Sequence, residues 1–254
     1  MNIQIHYLDN RQKQSLLSSF RWGFLGITFA CGIVYPAMAG QSVTGKIIID
    51  GVVYGEGSFQ VVKGSGVLGR EHRTVGDFHE VVIHGGLDVD FTRDDDVSVS
   101  LSGDDNLLKV ITTDVKLGVL HIGSKESYET KIPLLATLTA PSLSALEING
   151  SGDVKLNDLK EKTLTLNLNG SGDVQADGST DELSVRISGA GNMDAKQLTS
   201  DNAVIQIVGS GDMEVNVKDS LDVSIIGSGN VTYYGNPKSV EPKIIGSGDV
   251  EAGD

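Results

Sequence analysis

Cysteine is almost missing from this sequence. Of 254 residues only Cys31 carries a thiol, so no disulfide within the chain can staple the fold. Stability has to come from burial and the backbone hydrogen-bond ladder. Aromatic residues make up 5%, which leaves little material for a sugar-stacking platform; Tyr233-Tyr234 is the one adjacent pair. Lys and Arg are outnumbered, 20 against 34 Asp and Glu, for a formal net charge of −14. Such a surface does not favour nucleic acid or anionic membranes. Neither H-x-x-x-H nor a Ser/His/Asp order stands out, and His6, His72, His79, His84 and His121 read as surface or structural residues rather than a ligand set.

The N-terminus reads as an export signal. Arg11, Lys13 and Arg21 form a basic region, Trp22 to Val34 is an uncharged apolar run, Pro36 breaks it, and Ala37-Met38-Ala39 is an A-x-A site. The apolar run is short for a membrane span. The expectation is a signal peptide over 1–39, cleaved after Ala39, and a single domain over 40–254. A retained anchor is the alternative; a lipoprotein through Cys31 fits poorly, because Thr28-Phe29-Ala30 lacks the usual leucine-like residue before it. Cleavage removes Asp9, Arg11, Lys13 and Arg21, so the mature chain is more acidic still and carries no cysteine and no integral membrane segment. Its expected place is the periplasm, the outer-membrane surface or the medium.

Glycine is what the sequence has in abundance, with 32 residues. Gly150-Ser151-Gly152-Asp153 returns as Gly170-Ser171-Gly172-Asp173, Gly189-Ala190-Gly191-Asn192, Gly209-Ser210-Gly211-Asp212, Gly227-Ser228-Gly229-Asn230 and Gly246-Ser247-Gly248-Asp249. First glycines are 20, 19, 20, 18 and 19 residues apart, the mark of a repeat architecture. Two residues before each stand Ile148, Leu168, Ile187, Ile207, Ile225 and Ile244. Four after stand Val154, Val174, Met193, Met213, Val231 and Val250. Polar residues alternate with them. Apolar period-two columns on both sides of a recurring turn cannot be buried within one repeat, only between stacked ones. Propeller blades need about 40 residues each and fit badly. The fold class expected is all-β: a single-chain parallel β-helix of 19–20 residues per coil, expected right-handed, although no residue decides the hand. Its regular coils span 143–254 and its irregular coils 40–142. In the latter, Gly64-Ser65-Gly66-Val67 reads as a degenerate repeat, and Asp104-Asp105-Asn106-Leu107-Leu108 as one helical turn.

The repeat motif is read as a structural corner. Glycine reaches positive φ without a Cβ clash, and Asp or Asn at the fourth place satisfies its own corner as in an Asx-turn. The alternative is a calcium ladder at Asp153, Asp173 and Asp212, since carboxylates stacked about 4.8 Å apart repel unless neutralised. The calcium-binding nonapeptide pattern is absent, no lysine follows the glycines as in a phosphate loop, and no other cofactor is expected. Lyases and hydrolases built on β-helices need clustered basic residues or paired carboxylates, whereas the regular repeats hold one arginine, Arg186. No catalytic residue is assigned.

The joint motifs resemble the GIN domain, a bacterial head domain named for autotransporter adhesins and of unknown function. Beside the glycine corners, Phe78-His-Glu-Val-Val-Ile-His-Gly-Gly-Leu-Asp-Val looks like the family's opening strand pair. Gly118-Val119-Leu120 and Leu138-Thr-Ala-Pro-Ser-Leu143 look like its middle. The likeness covers roughly residues 60–250. It implies a surface or secreted β-helix and carries over no site residues. No C-terminal transmembrane barrel is read, so self-secretion is not implied. The expected function is non-enzymatic: an adhesin-like or cell-envelope module that binds a protein or glycan. The alternative is a β-helix that binds or cleaves an extracellular polysaccharide. The last coil has no capping helix, which points to homo-oligomers through uncapped coil ends.

Overall fold

A computed structural model describes residues 61–254 with their side chains and, upstream, only the backbone of strand segments between Asn2 and Phe59. Cys31, Pro36 and the expected cleavage site after Ala39 lie outside the described residues. Two compact units are present: Met1–Val62 with Glu126–Glu129, and Lys63–Lys125 with Thr130–Asp254. The second is a β-solenoid of about 5 turns, and no helix occurs among the described residues.

The alternation read from the sequence produces the coils directly. Val154–Gly170, Val174–Gly189, Met193–Gly209 and Met213–Gly227 stack in parallel, each carrying two walls of one turn. The register places Ile83, Ile148, Leu168, Ile187, Ile207 and Ile225 in one column. Each is at most 1% exposed. On the other side of the corner, Val89, Val154, Val174, Met193, Met213 and Val231 form a second buried column. Each fully buried side chain of this size contributes about 1.5–3 kcal/mol, and only stacking supplies that burial.

The stack enters the irregular region by a long jump in sequence. Ala145–Gly150 pairs in parallel with Glu80–Gly85, and Val154–Asn157 with Val89–Thr92. The first coil of the regular solenoid is therefore 80–93, and the chain between makes an excursion. That excursion mixes both directions: Val119–Ile122 stacks in parallel on Glu80–Ile83 and Leu135–Ala140 on Asp88–Arg93, as irregular coils would, while the remaining pairings run antiparallel. Leu68–Arg73 pairs antiparallel with Ser98–Asp104, Ser98–Asp104 with Leu135–Ala140, and Ile111–Lys116 with Val119–Ser124. Parallel strands need a coil-length connection, whereas antiparallel ones close with a short turn and can end the stack.

Asp104 ties this end together. It is 0% exposed, and its carboxylate accepts from Gly66 N at 2.6 Å, Lys131 N at 2.8 Å and Ile132 N at 3.0 Å. Asn106 Oδ1 accepts from Ser65 N, and Asn106 Nδ2 donates to Lys63 O. Gly64-Ser65-Gly66 is thus a strap held by residues 104–106. It is not a solenoid corner, since its glycines do not stack on the corner column. Residues 105–110 form turns rather than a helix, with Leu107 N and Leu108 N both donating to Asp104 O.

Candidate functional site

The six glycine corners, with a seventh at Gly85, form a continuous seam along the solenoid. Gly85, Gly150, Gly170, Gly189, Gly209, Gly227 and Gly246 are in register. The residue after each first glycine donates its N–H to the first glycine of the preceding coil, as Ser171 N does to Gly150 O at 3.1 Å and Ser228 N to Gly209 O at 2.9 Å. Coil-to-coil contact is so close that a Cβ on Gly170 would land on the carbonyl oxygen of Gly150, and one on Gly172 on that of Gly152. Both glycines are required by this closeness, and the first is required by its backbone conformation as well. Gly170, Gly189, Gly209, Gly227 and Gly246 have φ between 136° and 147°, a region that favours glycine. Gly152, Gly172, Gly191, Gly211, Gly229 and Gly248 are required by backbone proximity, a reason the sequence pattern alone does not distinguish.

The fourth residues make a second ladder. Asp173 N donates to Asp153 Oδ1 at 3.0 Å, Asn192 N to Asp173 Oδ1 at 3.1 Å, Asp212 N to Asn192 Oδ1 at 3.1 Å, Asn230 N to Asp212 Oδ1 at 2.8 Å, and Asp249 N to Asn230 Oδ1 at 3.1 Å. Each side chain serves the next coil, not its own corner as in the expected Asx-turn. Asp249, with no further rung beside it, turns Oδ1 to its neighbour Val250 N. The asparagines add Nδ2 donors to Asp173 and Asp212, so each gives the carboxylate of the preceding rung a second hydrogen bond and places no second charge beside it. Asp88 was not picked out in the sequence. It accepts from Asp153 N at 3.0 Å and is the first rung. Gly85-Gly86-Leu87-Asp88 is its corner, disguised by Leu87 in place of the second glycine and by the sequence excursion before Gly150.

The seam brings Asp153 and Asp173 onto adjacent rungs but sets Asn192 between Asp173 and Asp212. Among the described residues no three His, Cys, Asp or Glu converge as a metal-holding group. His79 lies against the 116–119 hairpin, where its N–H donates to Gly118 O. Outward positions build rows between the corners. Glu147 accepts from Asn149, and Asn149 from Asn169; Arg186 donates to Gln206 and Asn202 to Glu182. Tyr234 is held in place: its hydroxyl donates to Glu214 at 2.9 Å and Lys196 Nζ sits 3.8 Å from its ring centroid. The cation occupies a face that sugar stacking would need.

Two groups are electrostatically displaced. The N–H of Ile132, then those of Lys131 and Gly66, hold the Asp104 carboxyl below its ordinary range against the opposing effect of burial. The Lys238 ammonium is raised by its hydrogen bond to Asp219.

Known proteins share this architecture. The solved structure of a putative adhesin from Bacteroides fragilis superposes with a TM-score of 0.63 at 22% identity, covering 75% of this chain and 99% of that one. A putative adhesin from Parabacteroides merdae gives 0.51 at 23%, covering 76% and 99%. A putative lipid binding protein from Parabacteroides distasonis gives 0.51 at 21%, covering 77% and 100%. At such identities these likenesses speak for the fold. No curated protein matches the chain. The family model described as "Putative auto-transporter adhesin, head GIN domain" matches residues 77–237, from the first coil at 80–93 through the corner at Gly227, and the chain belongs to that family.

Proposed function

We propose that this protein is an exported, non-enzymatic β-solenoid that presents its outer face to a partner at the cell envelope, in the manner of an adhesin head. The observation that carries this reading is the division of labour within each coil. Inward residues and corners are uniform from Gly85 to Gly246, while outward columns change from rung to rung. One runs Glu147, Asn167, Arg186, Gln206, Ser224, Lys243; its neighbour runs Asn149, Asn169, Ser188, Val208, Ile226, Ile245. A frame this regular holds a chosen surface at fixed spacing with little entropy left to lose on contact. The second column turns apolar over the last coils, with Val208 40%, Ile226 49% and Ile245 70% exposed. Family membership and the export-signal pattern of residues 11–39 support the location.

The test has two parts. N-terminal sequencing of the protein recovered from fractionated cells is expected to begin at Gly40. Purified protein is expected to sediment with washed envelopes, and Ile226→Asp with Val208→Asp to lower that binding at least about tenfold, about 1.4 kcal/mol, without altering the fold. A cytoplasmic protein, or envelope binding indifferent to these outward changes, contradicts the proposal.

A further inference from the structure

The two ends of the solenoid leave different strand edges. Along Ser239–Gly246, Ser247 N donates to Gly227 O. N–H groups alternate sides along a strand, so those of Ile245, Lys243 and Glu241 turn to the preceding coil and position 242 faces the free edge. That position is Pro242, which has no N–H to offer, and its neighbour Glu241 is exposed. This edge is blunted against further strands.

At the other end, Ile111–Lys116 pairs only with Val119–Ser124. Their turn, Leu117 at φ 53° and Gly118 at φ 82°, has type I′ geometry. It makes Lys116 with Val119, Asp114 with His121, and Thr112 with Gly123 the hydrogen-bonded pairs. The N–H and C=O groups of Ile111, Thr113 and Val115 therefore point outward, and among the described residues no strand covers them. The edge holds no proline, and Ile111, Thr112, Thr113 and Val115 are β-branched residues suited to a sheet. At its tip stands Leu117, 100% exposed and in the left-handed region, where Asn or Gly is the ordinary choice. Nothing within its own unit gives that leucine a purpose.

We infer that this edge pairs antiparallel with the same edge of a second copy, across a two-fold axis through Thr113. In that register Ile111 of each copy faces Val115 of the other, and Thr112 faces Asp114, so no like charges meet. Every residue of the strand is paired, and the outward donors of Ile111, Thr113 and Val115 meet outward acceptors. Leu117 stands at the hairpin tip just past the paired stretch, on the side where the other copy's 105–110 turns precede its Ile111. The interface is isologous, as a closed dimer requires, and it lies at the opposite end of the strand order from Ser239–Gly246.

Sedimentation velocity on the full chain over a concentration series tests this. The unmodified protein is expected to pass from monomer to dimer and go no further. Thr113→Pro removes the axial donor and is expected to abolish the dimer. Leu117→Asn suits the turn better, so it is expected to keep or raise the melting temperature while weakening the dimer about tenfold. In a Cys31→Ser background, Thr113→Cys brings two thiols to a Cα separation of about 5.5 Å, within disulfide reach, and is expected to cross-link on mild oxidation, whereas Ser224→Cys is not. If Thr113→Pro fails to fold, Leu117→Asn and the cross-link decide. A strict monomer at every concentration overturns the inference. So does a dimer indifferent to Leu117→Asn that fails to cross-link through position 113.

Discussion

The regular coils and the N-terminal excursion hold their backbones together in opposite ways. From Val154 onward each coil repeats the one before it, and its polar groups are satisfied by the same position on the next rung: corner glycine to corner glycine, Asp or Asn to backbone N–H. Between Lys63 and Ile132 the corner is not copied outside residues 80–93, and one buried carboxylate, Asp104, gathers N–H groups from distant segments. In the first region an interaction is modest and is copied many times. In the second it is single, and its loss has no neighbour to absorb it. A solenoid behaves as a row of similar units coupled to their neighbours, but its end has to be built once, by other means.

Glycine substitutions break this comparison most sharply. Gly189→Ala places a Cβ on the carbonyl of Gly170 at φ 137°, and is expected to cost at least about 3 kcal/mol in urea unfolding, among the large values for a single change. Gly76→Ala, where a Cβ meets nothing within 4 Å, is expected to stay within about 0.5 kcal/mol. Next in size comes Asp104→Asn, which weakens the charge-assisted bonds to Gly66, Lys131 and Ile132 and leaves an amide donor facing N–H groups. It carries a pH signature. The folded carboxyl lies below its ordinary value, so its stabilisation is present above the unfolded pKa and lost as pH falls through the folded one. Unmodified protein is therefore expected to lose stability toward acid more steeply than Asp104→Asn.

A smaller effect is expected in the ladder. Asp212→Ala deprives Asn230 of an acceptor for both its N–H and its Nδ2 and should cost about 1 kcal/mol. Asp212→Asn should fall within about 0.5 kcal/mol, since Asn192 and Asn230 already serve at equivalent rungs. A large loss from Asp212→Asn, or a fall in melting temperature on chelating divalent cations, would mean that charge at this seam holds an ion.

Much of the solenoid was legible before any coordinates, because its physics is periodic. Ile148, Leu168, Ile187, Ile207 and Ile225 recur at fixed offsets from the corners, and burial in a stack is what makes such recurrence useful. Gly85 reads as an early coil mark, but Asp88 does not read as a rung, because it follows Leu87 rather than glycine and stands 65 residues before Asp153; the pairing of Gly85 with Gly150 reveals it. The antiparallel strands escaped for another reason. Residues such as Val99 and Leu101 alternate alike whether a neighbour runs parallel or antiparallel, so the pattern marks a strand and not its direction. The direction of service along the Asp/Asn ladder was hidden too, since an oxygen two bonds from Cβ can reach its own turn or the next coil, and spacing does not choose. The outward face carries no period and therefore no signal of its partner.

One continuous seam crosses from Asp88 to Asp153 and passes on between the later coils. Native-state hydrogen exchange at the amide of Asp153, bonded to Asp88 Oδ1, measures this directly. It is predicted to exchange as slowly as the amide of Asp212 in the middle of the regular stack, and only through global unfolding. Exchange of Asp153 by fast local opening while Asp212 stays protected would show that residues 80–93 are not the first coil of the same seam.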